Sequence, residues 1–374
     1  MENDVVPICF CADDKFIPYT AAAIQSIMEN ANPDTVYKLY ILFSDISEKR
    51  MNLLREQVSA YKNFSLDFID VKIYIDKYDL NSAYTNIMYG RKEIYFRLFI
   101  PYIFSNYSKI IYLDSDIICL ADIAKIISGN SGCIVEVVRD CGAVRGSKKY
   151  ASGLGLKKPE NYFNSGVIVF NTSLFKQNIS EEKLFSYINK PYDFPDQDIL
   201  NIVCEGNVDF LELSWNVMGV DMNKRITTKF KNEYNISQKN PYIIHYGGDK
   251  PWKNFIITRR TKYFWEFARR TKFADIIYLG LKDIDIAELS HHDDVYAGIY
   301  EGQRYGLRFV VKCGFLWLAM KLNALKTRIG RAPERINPPP PPCEFYRPFK
   351  RCEQKYKQTS LSYVKVKNKY SSNG

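Results

Sequence analysis

The sequence predicts an α/β fold in which helices cover a largely parallel sheet. Strand-like and helix-like segments alternate over about the first 270 residues, which is the pattern of a layered α/β protein. The 374 residues are 46% apolar and carry charges of both signs, as in a globular protein with a sizeable core. This length accommodates one large domain or two.

The elements are assigned in order from apolar runs and their boundary residues. A first strand is predicted at residues 6–12, and Pro18 stands in the first turn of a helix that reaches about residue 31. Ser47 is a candidate cap for the next helix. Further strands are predicted at residues 36–43, 64–71, 110–113, 133–138, 166–170 and 242–244, and further helices at about residues 93–104 and 198–204.

Two carboxylates end the predicted strand at residues 110–113. Asp114 and Asp116 flank Ser115 directly after four apolar residues, and ionised carboxylates are rarely buried unless they are paired or bind a metal. At the carboxyl edge of an α/β sheet, two carboxylates at i and i+2 can converge on Mg²⁺ or Mn²⁺ and a bound diphosphate. A solvated pair of acids at a strand end remains the alternative for so short a motif.

Polar side chains also follow the first strand and precede the carboxylates. Cys11, Ala12 and Asp13 end the first strand, where a carboxylate can accept a hydrogen bond from a nucleotide base. Asp13 or Asp14 could equally cap the next helix. Arg97 has apolar neighbours, so it is either half of a buried ion pair or a clamp for phosphate or carboxylate.

Two later segments offer polar groups at the start of a strand and of a helix. Asn164 could bind sugar hydroxyls, and Gly166 permits a close approach of the backbone. Asp196, Gln197 and Asp198 lead a helix. Capping needs only one of these three side chains, so the others are available to a ligand.

The last segment joins a histidine, two glycines and a lysine. His245 follows an apolar strand, where a histidine is often only a satisfied core residue. Here Gly247 and Gly248 follow it with backbone N–H groups that suit a phosphate, and Lys250 adds a positive charge. Imidazole completes the coordination of Mn²⁺ better than that of Mg²⁺.

Several classes of protein are disfavoured by the composition. The nine cysteines are scattered without a C-x-x-C pair, which predicts reduced core residues rather than a disulfide framework or a zinc site. Only three histidines are present, so a histidine-rich metal site is excluded. The acidic N-terminus has no basic and apolar leader, so no secretory signal is expected, and no apolar run reaches membrane-spanning length.

The net charge of +10 is concentrated at the C-terminus. Residues 303–374 contain 16 Lys and Arg against three Glu, so the remainder is slightly acidic. Arg304, Arg308 and Lys312 form one stripe on a predicted helix that also carries Trp317, and residues 338–342 are a polyproline spacer. The stripe favours an anionic membrane surface, while packing on the main domain and nucleic-acid contact are alternatives; no nucleic-acid motif is present, so none is expected as a partner.

The ordered set of motifs resembles glycosyltransferase family 8, which includes bacterial lipopolysaccharide glucosyl- and galactosyltransferases and, more distantly, glycogenin. The resemblance covers residues 6–252, roughly two-thirds of the chain. The motifs that carry it are, in order, C-A-D-D, F-R-L, Y-L-D-S-D, Y-F-N-S-G, D-Q-D-I-L-N and H-Y-G-G-D-K-P-W.

The resemblance implies a GT-A fold, which is Rossmann-like and binds nucleotide sugars, with a small basic helical C-terminal extension. The implied domains are residues 1–275 for catalysis, 276–336 for the extension and 337–374 for a proline-led tail. It also implies a UDP-sugar donor, Mn²⁺ with Mg²⁺ possible, and retention of the anomeric configuration. The implied roles are metal ligation by Asp114, Asp116 and His245, donor binding by Cys11, Ala12, Asp13, Arg97, Asp114, Ser115, Asn164, Gly247, Gly248 and Lys250, and catalysis by Asp196 and Gln197, with Asp140 as a further sugar or acceptor contact.

Two departures from the family pattern bear on the nucleotide. Lys15 replaces a small polar residue, and the segment from His245 to Lys250 is one residue shorter than is usual. The first could change contacts with the base, and the second affects the reach of Lys250.

The function expected from this resemblance is transfer of glucose or galactose to a lipid-linked, cell-surface glycan such as lipopolysaccharide, lipooligosaccharide or capsule. Such an enzyme would lie in the cytoplasm, peripheral on the inner face of the membrane. The alternatives are a nucleotidyltransferase, which also uses paired Asp residues and metal, and an inactive sugar- or lipid-binding relative.

Overall fold

The computed structural model describes most of the chain before residue 282. The described residues are 5–83, 92–127, 129, 131–141, 150–218, 226, 228–248, 250–253 and 260–281. The predictions for residues 282–374, which include most of the helical extension, the proline run and the basic tail, lie outside them.

A seven-stranded sheet forms the centre of the fold, in the order β3-β2-β1-β4-β7-β6-β8. The predicted, largely parallel sheet is confirmed, except that β7 runs antiparallel to its neighbours β4 and β6. A second sheet has the order β5-β10-β9. The strands in the described part of the chain are β1 Val5–Cys11, β2 Val36–Phe43, β3 Phe64–Asp70, β4 Lys109–Leu113, β5 Ile117–Cys119, β6 Val135–Arg139, β7 Phe163–Asn171, β8 Val208–Phe210, β9 Val217–Met218 and β10 Ile243–His245.

Helices cover both faces of the large sheet, because its strands are apolar on both sides. In β1, Ile8 and Phe10 join one buried cluster and Cys9 joins the other. The α-helices are α1 Ile17–Asn30, α2 Glu48–Ser59, α3 Lys72–Lys77, α4 Ile100–Ile103, α5 Thr172–Asn178, α6 Glu181–Phe185, α7 Pro195–Val203, α8 Lys231–Lys239, α9 Thr261–Ala268 and α10 Ala274–Gly280. The 3₁₀ helices are Lys92–Phe99, Ile123–Ile126, Pro159–Asn161, Leu213–Asn216 and Thr228–Phe230.

The predicted helix at residues 93–104 was wrong over most of its length. Lys92–Phe99 is a 3₁₀ helix, and only Ile100–Ile103 is α-helical. Pro101 stands in the first turn of the α-helical part, where its missing N–H leaves no helical hydrogen bond unmade. In the 3₁₀ part, the Arg97 side chain donates to the carbonyl of Ile94, three residues earlier.

Ser47 is the N-cap residue of α2, as predicted, but its side chain makes no capping hydrogen bond. Its hydroxyl donates instead to the Asp14 carboxylate at 2.8 Å, which ties the start of α2 to the segment after β1.

The sheet changes winding direction between β1 and β4. From β1 the chain moves outwards through β2 and β3, whereas β4 lies on the other side of β1. Ligands of open α/β sheets bind at the carboxyl ends of such strands. The Ser115 hydroxyl donates to the Cys11 carbonyl at 3.1 Å and so joins the two strand ends at this edge.

Candidate active site

Three of the predicted metal ligands converge just beyond β4. Asp114 and Asp116 leave the end of β4, and His245 ends β10 in the small sheet. The His245 Nε2 atom lies 3.4 Å from Asp114 Oδ2 and 3.3 Å from Asp116 Oδ1. One donor atom from each of the three residues lies within 4.8 Å of the others. Two carboxylates and an imidazole nitrogen form a donor set that fits Mn²⁺.

The charges of this cluster depend strongly on one another. Burial would lower the pKa of His245, but the Asp116 and Asp114 carboxylates raise it to about 9. Burial favours the neutral form of Asp116, but Lys250 and His245 hold its pKa well below the usual range. Both carboxylates are therefore ionised at neutral pH, as metal ligands must be.

Lys250 lies at the edge of the same cluster. Its ammonium forms an ion pair with Asp116 and donates to the Tyr246 carbonyl at 2.7 Å. Gly247 and Gly248, which precede it, are exposed. The segment is anchored on α1, because the ring of Trp252 stacks on Tyr19 with their centroids 4.0 Å apart.

Arg97 forms a buried bridge between two acidic residues. It lies 2.8 Å from Asp114 Oδ1 and 3.1 Å from Asp196 Oδ2, and it also donates to the Ser165 carbonyl at 2.8 Å. Burial would lower its pKa, but Asp114 and Asp196 raise it further above neutrality. Of the two roles predicted for Arg97, the structure therefore shows the buried ion pair. Its guanidinium also orients Asp114, a candidate metal ligand.

The start of β7 and the first turn of α7 share a network of hydrogen bonds. The Gln197 Oε1 atom accepts from Asn164 Nδ2 and from the Ser165 N–H, each at 3.0 Å. Its Nε2 atom donates to Asp140 Oδ2 at 3.1 Å. A sugar hydroxyl that donated to Gln197 Oε1 would have to displace one of the two present donors.

Asp196 and Asp198 play different parts in α7. Asp198 accepts from the Phe194 N–H at the start of the helix, so it is the capping residue that the sequence left open. Asp196 Oδ2 accepts instead from the Ser165 hydroxyl at 2.9 Å, next to Arg97. Burial raises the pKa of Asp196, against the effect of Arg97.

Gly166 lies directly behind two of the candidate metal ligands, His245 and Asp114. A Cβ atom there would lie 2.3 Å from His245 Cε1 and 2.7 Å from Asp114 Oδ2, which are distances that real side chains do not tolerate. The Asp114 N–H donates to the Gly166 carbonyl at 2.8 Å. The sequence predicted a close approach of the backbone at Gly166. In the structure the backbone there approaches the His245 imidazole and the Asp114 carboxylate.

The end of β1 holds the residues proposed to contact the nucleotide. Ala12 is buried, and Cys11 and Asp13 are partly exposed at the edge beside β4. The Asp13 Oδ1 atom accepts from the Phe16 N–H at 2.7 Å, whereas Asp14 pairs with Arg50 at 3.0 Å. Asp13 therefore supports the turn into α1.

Some residues of the site were missed from the sequence. Asn216 accepts from His245 at 2.9 Å, Ser165 contacts both Arg97 and Asp196, and Tyr162 accepts from Gln197. Ser165 stands inside a motif that was recognised, but Asn216 lies in a short 3₁₀ helix without any local pattern. In the sequence, the only notable feature of Asn216 is that it follows Trp215. That position does not predict a contact with a metal-binding histidine.

The profile of glycosyl transferase family 8 matches residues 7–255. The chain belongs to glycosyl transferase family 8. This span contains every residue placed in the site above, and it confirms the resemblance drawn from the motifs. Membership of this family indicates glycosyl transfer as the class of reaction.

Curated relatives are slightly more than a quarter identical to this chain over the aligned regions. General stress protein A of Bacillus subtilis is 27% identical over 68% of this chain and 89% of its own length. A lipopolysaccharide 1,2-glucosyltransferase of Escherichia coli is 29% identical over 46% of this chain and 53% of its own length.

Solved structures have the same fold. The bifunctional glycosyltransferase WbbM has a TM-score of 0.65 at 26% identity, over 75% of this chain and 52% of its own. The galactosyltransferase LgtC, solved in complex with donor and acceptor sugar analogues, has a TM-score of 0.61 at 23% identity, over 71% of this chain and 96% of its own. These similarities confirm the GT-A fold.

Among the helices of the described residues, none combines the length and apolar character needed to cross a membrane. The six cysteines in the same residues are free thiols.

Proposed function

We propose that this chain is a retaining, Mn²⁺-dependent hexosyltransferase that moves glucose or galactose from a UDP-hexose to a saccharide acceptor. The observation that supports it most is the convergence of Asp114, Asp116 and His245 at the β1–β4 edge, with Lys250 beside them. The acceptor we propose is a growing cell-surface glycan such as lipopolysaccharide, lipooligosaccharide or capsule. The choice of acceptor rests on the activities of the relatives, which include a lipopolysaccharide 1,2-glucosyltransferase, together with this geometry.

The three converging residues would hold the metal. When bound, Mn²⁺ neutralises the diphosphate and stabilises UDP as the leaving group, and Mg²⁺ could replace it less well because of the imidazole ligand. Arg97 fixes the orientation of Asp114, which leaves the other oxygen of that carboxylate toward His245.

Other residues of the chain would bind the two ends of the donor. Lys250 and the exposed backbone of Gly247 and Gly248 would bind the diphosphate, where negative charge develops as the bond to the sugar breaks. Cys11, Ala12 and Asp13, with Ser115 joining their strand to β4, would frame the uridine. Lys250 pairs with Asp116 in this structure, so it would have to leave that carboxylate to reach the diphosphate.

The sugar would lie against β7 and α7. Asn164 and Gln197 would bind its hydroxyls, and Asp196 would stabilise the positive charge that develops at the anomeric carbon. Asp196 already accepts from the Ser165 hydroxyl and pairs with Arg97, which makes its carboxylate a weak nucleophile.

Retention of configuration would therefore follow from attack by the acceptor hydroxyl on the face that UDP leaves. The departing phosphate of the donor would take the proton of that hydroxyl. A covalent sugar adduct on Asp196, detected by mass spectrometry during turnover, would contradict this route.

Hydrolysis of UDP-sugars tests the proposal. UDP-glucose, UDP-galactose and UDP-N-acetyl sugars are incubated with Mn²⁺ or with EDTA, and UDP release is followed for the wild type and Asp116→Ala. We expect Mn²⁺-dependent release from one hexose donor, and its loss in the variant. Asp209→Ala changes an exposed carboxylate on β8 and serves as the matched control.

The alternatives predict other outcomes. An inactive sugar-binding relative would bind UDP-hexose in calorimetry but release no UDP, with or without a saccharide acceptor. A nucleotidyltransferase would release pyrophosphate from UTP, and the family membership already argues against it. If neither UDP binding nor release is detected, the hexosyltransferase proposal is wrong.

The basic C-terminal region would place the enzyme on the inner face of the cytoplasmic membrane, as a peripheral protein. We extend the proposal to this region because residues 303–374 carry 16 cationic side chains against three acidic ones. Sedimentation of the full chain with anionic vesicles is expected, with release at high salt. Replacement of Arg304, Arg308 and Lys312 by Glu should weaken it, and equal sedimentation with neutral vesicles would contradict the proposal.

A further inference from the structure

Two asparagines connect His245 to Gln197 by an unbroken series of hydrogen bonds. His245 Nδ1 lies 2.9 Å from Asn216 Oδ1, and Asn216 Nδ2 donates to Asn164 Oδ1 at 2.8 Å. Asn164 Nδ2 then donates to Gln197 Oε1 at 3.0 Å. We call these four side chains the amide relay. It joins the candidate metal ligand to the residue proposed to contact the sugar.

Backbone groups fix the direction of every bond in the relay. The Gly166 N–H donates to Asn164 Oδ1, and the Ser165 N–H donates to Gln197 Oε1, each at 3.0 Å. A backbone N–H can only donate, so both receiving atoms are oxygens and neither amide can be turned over. Asn164 therefore presents its oxygen to Asn216 and its NH₂ group to Gln197.

The state of the histidine follows from this direction. Because Asn164 presents an oxygen, Asn216 must present its NH₂ group to it and its oxygen to His245. His245 must then carry a hydrogen on Nδ1 whether the ring is neutral or protonated, so Nε2, which lies toward Asp114 and Asp116, is the nitrogen that is free of hydrogen when a metal binds. The exposed fractions of Asn216 and His245 are 9% and 3%, so water competes little for these bonds.

We infer that Asn216 is a positioning residue that fixes the Nδ1–H form of His245 and so aims its Nε2 lone pair at the metal. Its second bond, to Asn164, couples the metal site to the sugar site through Gln197. The inference rests on the proposed function, because that proposal supplies the metal. Residues that orient a metal-binding histidine typically change metal affinity by about 10- to 100-fold when they are removed.

Substitutions at one position separate the two bonds. Asn216→Asp keeps an oxygen for the His245 Nδ1–H but places a second oxygen against Asn164 Oδ1, so only the coupling to the sugar side is lost. Asn216→Leu has a similar size and loses both bonds. Ser237→Ala is the matched control, because Ser237 is buried in α8 and its hydroxyl donates to the Tyr234 carbonyl rather than to the relay.

The first readout is Mn²⁺ binding without turnover, measured by electron paramagnetic resonance of the free ion in the presence of UDP. We expect Asn216→Leu to weaken binding about 10- to 100-fold, whereas Asn216→Asp and Ser237→Ala stay within about threefold of the wild type. Hydrolysis of the donor should nevertheless have a lower kcat in Asn216→Asp. Urea unfolding of each variant separates these effects from a loss of fold.

The second readout does not involve metal. With ¹⁵N-labelled histidine, a slowly exchanging imidazole N–H proton is expected on Nδ1 of His245 and should disappear in Asn216→Leu. The sequence has only three histidines, so a His245→Gln variant assigns the signal.

The outcomes distinguish the inference from the proposed function. A wild type that binds no Mn²⁺ but keeps the protected Nδ1–H would overturn the metal-dependent function and leave the histidine assignment supported. A folded Asn216→Leu variant that binds Mn²⁺ like the wild type, or a wild type without the protected proton, would overturn the inference alone.

Discussion

The Lys250 ammonium pairs with the Asp116 carboxylate, which is also one of the three candidate metal ligands. A bound cation and Lys250 would therefore compete for the same carboxylate. When the cation takes it, the ammonium becomes available to the diphosphate, which the cation also attracts.

Replacing Lys250 with Met should separate these two roles. Without donor, Mn²⁺ affinity should rise because Asp116 has lost its competing cation. With donor, kcat/KM for UDP release should fall by about 10²-fold or more, because one preorganised positive charge is missing. Calorimetry and steady-state kinetics measure the two effects. Lys253→Met, at an exposed lysine nearby, should change neither, and lower Mn²⁺ affinity in Lys250→Met would refute the competition.

Gly166→Ala should damage the metal site through contact with its ligands. The new methyl group would overlap His245 and Asp114, so one of them must move. We expect at least tenfold weaker Mn²⁺ binding and a decrease of about 1–3 kcal/mol in the free energy of unfolding. Gly153→Ala is the control, because a Cβ there meets no atom within 4 Å. Equal metal affinities for both variants would contradict the predicted overlap.

Trp252→Leu should weaken donor binding through the position of Lys250. The stacked ring of Trp252 on Tyr19 holds the segment after Lys250 against α1, and such aromatic pairs contribute about 0.5–1.5 kcal/mol beyond the area they bury. We expect an increase in the KM for the UDP-sugar. Trp265→Leu removes a comparable ring that stacks on Tyr278 in α10 and not on Tyr19. It should lower thermal stability without an effect on KM, and similar KM values for both variants would exclude the anchoring role.

The buried Asp198 should make stability depend on pH. Burial raises its pKa from the ordinary 3.8 to about 6, against hydrogen bonds from Tyr150 and Tyr162. The folded state therefore binds this proton more tightly than the unfolded state does. Its contribution to the free energy of unfolding is largest below about pH 4 and is lost as the pH rises through about 6, and the full change is about 3 kcal/mol.

Urea unfolding of the wild type and Asp198→Asn between pH 4 and pH 8 measures this effect. The Asn variant has no carboxyl group to titrate. The free energy of the wild type relative to the variant should fall between about pH 4 and pH 6 and then stay level. A difference that is constant with pH would show that Asp198 has the same pKa in both states.

The local sequence was sufficient to predict that the three candidate metal ligands lie close together. Asp114, Asp116 and His245 each follow a short apolar strand, and strands of this kind deliver their last residues to one edge of an α/β sheet. The spare side chains at the start of α7 were also recognised, because a helix start needs only one capping group, and Asp198 supplies it.

The second layer of contacts could not be predicted in this way. Asn216 reaches His245 because β9 pairs with β10, and the pairing joins residues almost thirty positions apart. The guanidinium of Arg97 is held by Asp114 and Asp196, which are distant from it in the sequence. Neither feature leaves a periodic pattern, since both are fixed by tertiary contacts.

The candidate metal ligands come from two different sheets. Asp114 leaves β4 of the large sheet, His245 ends β10 of the small one, and Asp116 lies between β4 and β5. A cation held by all three would act as a non-covalent cross-link between segments that are far apart in the chain. Because this ligand set forms only when both sheets have folded, the ion would bind the native state alone and raise the melting temperature with the logarithm of its concentration relative to its Kd.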